Sequence, residues 1–367
     1  MTRAQRLFLS PKFPGYAWAW PKGNRERLLQ AATLSDLDRA VAVLREWEKL
    51  RTFEDLTFPE QRLLVAISVR MPANKITLDE RARLTGIERK LWTASRMTMH
   101  GSQEAATLMA GAGIDMLVMK GAARSALDLQ NLKGRAAYDI DILVKPEDYR
   151  RAIELLIADG WKSNHDLLVR RYLDGSSGMA AVNMHKGQHG DVDLHQYAFY
   201  HVAGANDRGL WARSREVDFL GQKLRVASPE DNLAIAIAHG GVGGHGQSDW
   251  MVDCVNIIRE STIDWALFEE ICRDHGIMSF AAITLTFLRE RLETPIPDEA
   301  LLRIARAGRR PGWRLWSSLY QAYPKRQHNW IGVVGRGVSR ISRQSRAVAF
   351  SQKYARAVPT EPPARSG

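Results

Sequence analysis

The chain has 367 residues, 45% hydrophobic and 25% charged, enough to bury a sizeable core, which excludes a disordered chain and a disulfide-stapled miniprotein. Its two cysteines, Cys254 and Cys272, form no CxxC pair, so a zinc ribbon and a disulfide framework are excluded and a reducing, cytoplasmic compartment is expected. The net charge of +11 is uneven: residues 301–367 hold 14 Lys and Arg against the single acid Glu361, whereas the first 300 residues carry 38 basic and 40 acidic side chains. The body is not basic; its tail is.

At the start of the chain Pro11 and Pro14 interrupt the apolar character and no small-residue cleavage site follows, so no signal peptide is expected. The most apolar stretches, Leu63 to Val69 and Leu233 to Ala238, stop short of the roughly 18 to 20 residues that span a bilayer. Residues 24–112 read as helical, with apolar residues at three- and four-residue intervals in LLQAATLSDLDRAVAVLREWEKL and a Pro near a helix start in FPEQRLLVAISV. Ile114 to Met119 is the first strand-like run, just past glycines, and Lys120-Gly121 follows it ahead of a helical segment, AARSALDL. A strand–KG–helix turn lets backbone N–H groups and the positive helix end face a phosphate; alone it is equally an ordinary turn with a surface lysine.

The next strand, Asp139 to Val144, alternates so that Asp139 and Asp141 share one face and Ile140, Ile142 and Val144 the other. Pro146 opens a helix, Glu147 and Asp148 suit its positive end, and Gly160 ends it. Further strands are expected at Leu167 to Tyr172, Ala180 to His185 and Asp191 to His195, then a hairpin turning at Gly221. Ser228 and Pro229 open a capped helix, SPEDNLAIAIAH, and WMVDCVNIIRE and WALFEEICRDHG read as amphipathic helices. The class is α+β, a small mixed sheet between helices. The expected division is a helical region at 1–112, a core at 113–228, a second helical region at 229–320 and a basic, partly disordered tail at 321–367.

Carboxylates at i and i+2 on one strand face bind hard cations through oxygen, and a third from a neighbouring strand completes a two-metal site. Asp139 and Asp141 with Asp193, in the later strand Asp191-Val-Asp193-Leu-His195, have this pattern. The bland alternative is solvent-facing acids on half-exposed strands. His195 shares the strand face of Asp193, which places it beside the metals or makes it a hydrogen-bonded structural histidine.

At these residues the chain resembles the nucleotidyltransferase-5 family, a branch of the DNA-polymerase-β-like nucleotidyltransferase superfamily. The match runs through VMKGAARSALDL, GRAAYDIDILVKPEDYRRAIELLIADGW, DVDLHQY, SPEDNLAIAIAHGG and SDWMVDCVNII, over roughly residues 85–275. The resemblance implies that the core is a nucleotidyltransferase fold, that Asp139, Asp141 and Asp193 bind Mg²⁺ or Mn²⁺, and that Asp193 activates an acceptor hydroxyl. It places Lys120, Gly121 and Arg135 at the phosphates of an NTP, with ATP the default. Larger superfamily members have Gly-Ser where this chain has Lys120-Gly121. No residue pattern specifies the acceptor. A DxD sugar-nucleotide glycosyltransferase is the rival enzyme, although no N-terminal βαβ nucleotide-binding region precedes the motif. A nucleotide-binding protein of this fold without turnover is the rival outside enzymology.

Seven of the ten histidines fall between 165 and 245, but the spacing of His185, His189, His195 and His201 fits no compact zinc motif. Gly241, Gly243 and Gly246 spell GxGxxG after a helix rather than a strand, which suits a loop covering the site and not a dinucleotide fingerprint. Asp253 reads as a structural hydrogen-bonding group. The tail interleaves Trp313, Trp316, Tyr320, Tyr323 and Trp330 with arginines, a composition that suits an anionic membrane surface, giving peripheral attachment, or nucleic acid.

Overall fold

The computed structural model describes residues 21–308 apart from 22, 52, 54, 128–134, 136, 177–178, 200–206 and 243–247. His201, Gly243, Gly246 and the aromatic-basic tail lie outside the described residues. Four helices come first: α1 (Asn24–Thr33), α2 (Leu37–Glu48), α3 (Phe58–Arg70) and α4 (Leu78–Gly111). Their starts follow local chemistry. Asp36 accepts from the Asp38 and Arg39 N–H groups, and Thr57 with Glu60 and Thr77 with Glu80 form capping boxes that satisfy helix-start donors.

The middle of the chain holds β1 (Met116–Val118), α5 (Lys120–Leu127), β2 (Ile140–Val144), α6 (Pro146–Ala158), β3 (Lys162–Ser163), α7 (Asp166–Leu173), β4 (Ala181–Lys186) and β5 (Gly190–His195). It continues with α8 (Arg208–Arg213), β6 (Arg215–Phe219) and β7 (Gln222–Val226). The hairpin of β6 and β7 turns at Gly221, whose φ is 71°. Last come α9 (Pro229–Ile237), a π-helical turn (Ala238–Val242), α10 (Asp249–Glu260), α11 (Trp265–Asp274), α12 (Met278–Leu292) and α13 (Asp298–Ala307). Pro229 stands in the first turn of α9 and Ser228 accepts from the Asp231 N–H. The described residues are thus an α+β fold of thirteen α-helices and one seven-stranded mixed sheet.

One expected strand is a helix. Residues 166–173 form α7, because Leu167, Leu168, Val169 and Tyr172 recur at helical as well as strand spacing and only Val169 is buried.

The sheet order is β3-β4-β5-β2-β1-β7-β6. β2 runs parallel to β5 and β1 parallel to β7, while the other neighbours are antiparallel. One face, carrying Val118, Ile140, Ile142, Val192, Leu194 and Val226, buries against residues of α4, α5 and α6. On the other, Leu117 and Leu143 join a core built from α1 to α3 and α9 to α13. Strand alternation therefore sends odd-numbered residues of β2 and β5 toward the second face.

The long helix α4 crosses the start of β5 with almost no space between backbones. A Cβ on Gly101 would lie 2.7 Å from the Gly190 nitrogen and 2.7 Å from the His189 carbonyl carbon. Beside it the Ser102 hydroxyl accepts from the Asp191 N–H at 3.1 Å and donates to the Asp191 carbonyl at 3.1 Å. Glycine in this helix permits the contact that seats β5.

Candidate functional site

Two parallel strands in register build the site. Asp141 on β2 is paired with Asp193 on β5, and Leu143 with His195, so Asp141, Asp193 and His195 project from the same sheet face. Asp139 sits in a bend just before β2 and is exposed. The Met119 N–H donates to the Asp141 carbonyl at 3.1 Å, tying the end of β1 to the middle of β2. Lys120 follows in the left-handed region with φ 52° and opens α5. This conformation costs a non-glycine residue about 1 kcal/mol or more, and it turns the chain from strand to helix beside the carboxylates.

The Lys120 ammonium pairs with Asp141 Oδ1 and lies 3.9 Å from Asp193 Oδ2. His195 Nε2 is 3.2 Å from Asp141 Oδ1 and 3.0 Å from Asp193 Oδ2. Asp141 and His195 are buried, and Asp193 is the open member, its side chain 26% exposed. Burial acts to raise the Asp193 carboxyl, but His195 and then Lys120 outweigh it and hold the group down at about 2. Burial disfavours the His195 imidazolium, yet the Asp193 charge leaves its affinity for a proton above the ordinary value. The Asp139 carboxyl is pushed up to about 6, first by the Asp141 charge.

Among the described residues, Asp141, Asp193 and His195 bring two carboxylate oxygens and one ring nitrogen within 4.8 Å of one another. The donor types and their spacing fit a divalent cation. The Lys120 ammonium sets a positive charge against the same two carboxylates. Of the other expected histidines, His185 lies opposite Asp191 on β4 and His189 in the turn before β5, and neither joins this group.

Arg135, in the loop ahead of β2, donates through Nε to both Asp253 oxygens at 3.1 Å and through Nη1 to Asp249. Arg62 of α3 donates through Nε to the same Asp249 oxygen at 2.7 Å. Burial alone would lower the affinity of Arg135 for its proton; Asp249 and Asp253 reverse this and raise it. Two guanidinium groups and two buried carboxylates thereby join α3, the loop before β2 and α10. Asp253 has the structural pairing expected of it. Asp249 and Arg62 gave no motif, although the i,i+4 spacing of Asp249 and Asp253 puts both on one helical face.

Gly121 lies in the first turn of α5, where an added Cβ would meet Ala137 Cβ at 3.5 Å and Arg135 Nη2 at 3.6 Å, ordinary contact distances. The residue bearing the positive φ is Lys120 and not the glycine. A small cavity of ≈ 100 Å³ adjoins Lys120 between α5, α9 and α10, with Arg124, Arg215, Asn232 and Asp253 in its wall. His239, in the π turn, sits 6.0 Å from the His195 ring in an edge-on arrangement and lies 3.3 Å from the Ala198 carbonyl.

No curated protein matches the chain. Among solved structures it is similar to an antigenic nucleotidyltransferase-like protein from Paracoccidioides brasiliensis, at 16% identity over 57% of this chain and 98% of that one, with a TM-score of 0.35. The profile of a family described as uncharacterised nucleotidyltransferases matches residues 64–293. That span exceeds half of the chain and contains both acidic strands, the Lys120 turn and the Arg135–Asp249–Asp253 cluster, so the chain belongs to this nucleotidyltransferase family.

Proposed function

We propose that the protein is a metal-dependent nucleotidyltransferase that moves a nucleoside monophosphate from an NTP, ATP first among them, to a hydroxyl-bearing acceptor and releases pyrophosphate. The observation that carries this reading is the in-register pairing of Asp141 with Asp193 beside the Lys120 turn. In it Asp139, Asp141 and Asp193 hold Mg²⁺ or Mn²⁺, which when bound neutralises phosphate charge and stabilises the leaving pyrophosphate. Lys120 exchanges its carboxylate partners for a phosphate oxygen, and the N–H of Gly121 at the helix start faces the same anion. Asp193, the most open of the three donors, accepts the hydrogen bond of the acceptor hydroxyl and orients it for in-line attack. Arg135, whose Nη2 lies 3.6 Å from where a Cβ on Gly121 would be, faces the phosphates beside Lys120 and Gly121 from a loop held by Asp249 and Asp253.

The chain is assigned to the cytoplasm, where no disulfide is required. No helix among the described residues is long and apolar enough to cross a membrane, and the basic tail supplies contact with an anionic surface, lipid or nucleic acid.

The test is incubation with each α-labelled NTP and Mg²⁺ or Mn²⁺, with and without a panel of hydroxylated acceptors, following label transfer and pyrophosphate. Transfer by the parent and its loss in Asp141→Asn is the expected result. Nucleotide binding without transfer across the panel would favour a non-catalytic protein, and hydrolysis of a nucleotide sugar would favour glycosyl transfer.

A further inference from the structure

We infer that His195 is a metal ligand, so that the inner cation site is an Asp141–Asp193–His195 set with one nitrogen donor and takes a first-row transition dication in preference to Mg²⁺. This rests on the metal-binding part of the proposed function and changes what that site would hold. Three observations carry it. First, the ring nitrogen and the two carboxylate oxygens converge within 4.8 Å, while Asp139 is outside this group. Second, His195 is fully buried and its register opposite Leu143 on β2 fixes the ring on the carboxylate face. Third, Nε2 faces two carboxylate oxygens at once, at 3.0 and 3.2 Å. An N–H shared between two acceptors bonds each less directly than one aimed at a single acceptor, whereas a cation among the three atoms satisfies all of them.

The consequence follows from ligand chemistry. Mg²⁺ favours all-oxygen surroundings and keeps its waters, while imidazole raises affinity along the series from Mn²⁺ toward Zn²⁺. Binding displaces the Lys120 ammonium from Asp141, and any proton on Nε2 passes to solvent, so the site gains two positive charges if the imidazole starts neutral and one if it starts protonated. The bland alternative is that His195 only hydrogen-bonds the two carboxylates and stays outside the coordination sphere.

The probe is Mn²⁺ alone, added to the full-length protein without nucleotide, read by pulsed electron paramagnetic resonance and by calorimetry. Direct coordination predicts ¹⁴N modulation from Mn²⁺ that converts to the ¹⁵N pattern when only histidine is ¹⁵N-labelled, a measurement that needs no variant and separates His195 from the nearby lysine. His195→Gln should lose that signal and weaken Mn²⁺ binding at least tenfold more than Mg²⁺ binding; His195→Asn serves if the first variant melts early. Stoichiometric Mn²⁺ binding with no histidine nitrogen signal overturns the inference and leaves the carboxylate metal site standing. If wild-type protein binds no Mn²⁺ even with a nonhydrolysable NTP, the metal-dependent reading falls with it. Nitrogen coordination without nucleotidyl transfer would keep the metal site and reject the reaction.

Discussion

Replacing Lys120 by Met should tighten binding of a divalent cation while weakening binding of the nucleotide. The ammonium pairs with Asp141 and lies 3.9 Å from Asp193. Two unit charges at this separation interact by about 4 kcal/mol at an effective dielectric constant near 20. The net cost to a metal is smaller than the sum over both carboxylates, because the lysine side chain is 24% exposed and regains hydration when displaced. A net gain of about 1.4 to 2.8 kcal/mol, tenfold to hundredfold in affinity, is therefore expected for Lys120→Met. Methionine preserves most of the side-chain bulk and keeps a non-glycine residue at φ 52°, so the backbone cost is unchanged, and Lys120→Arg retains the charge as a control. Calorimetric titration of Mn²⁺ at fixed ionic strength reads the first effect, and titration of a nonhydrolysable NTP at saturating Mn²⁺ reads the second. A folded Lys120→Met protein that binds Mn²⁺ no more tightly than the parent would refute the idea that this ammonium occupies the cation's place.

Arg135→Ala should cost about 3 kcal/mol, read as a lower urea midpoint, because it strands the buried Asp253 carboxylate and leaves Asp249 with Arg62 alone; an unchanged midpoint would show that water reaches Asp253. Gly101→Ala should cost about 1–3 kcal/mol, since its Cβ falls 2.7 Å from the backbone of residues 189 and 190, and thermal melting at the parent's midpoint would deny the close approach. His275, stacked on Phe199 with ring centroids 3.8 Å apart, is lowered by burial to about 4. Its unfolded value is near 6.5, so the unfolded chain binds the proton first and stability is lost as pH falls from about 6.5 to 4, by up to about 3 kcal/mol. His275→Phe keeps the stack and should flatten that part of the stability–pH curve; an unaltered slope would assign the acid loss to other groups. Asp207, raised by burial to about 6, has the opposite sign: its penalty appears as pH rises from about 4 through 6, and Asp207→Asn should raise stability at pH 7 by about 2 kcal/mol relative to its effect at pH 4.

Local patterns carried much of the architecture. Period-two alternation in DIDILV and DVDLH marks each acidic strand and assigns its faces, because side chains leave a strand on alternate sides whatever it pairs with. The helix starts at Thr57, Thr77, Pro146 and Ser228 are equally local, since a cap is satisfied within four residues of the helix N-terminus. The segment 166–173 is a helix where its apolar run also fits a strand, because a run of that length fits both periods and only its burial distinguishes them.

What the sequence by itself determined is the inventory of donors and the face on which most of them lie: Asp141 on one strand, Asp193 and His195 on another, and a lysine at a strand-to-helix turn, whereas Asp139, expected on the strand of Asp141, stands in a bend before it. Only the tertiary structure decided how they meet. A parallel pairing between strands about fifty residues apart can slide by one residue without altering either strand's own pattern, and a slip of one would turn every facing pair away. The register that sets Asp141 opposite Asp193 depends on the helices packed on both faces and on the backbone contact between Gly101 and Gly190. The Lys120 ammonium between the carboxylates and the anchoring of Arg135 by Asp249 and Asp253 likewise join residues up to 118 positions apart. Such charge pairs leave no periodic trace in a sequence, because the energy that selects them exists only once folding has removed water from around them.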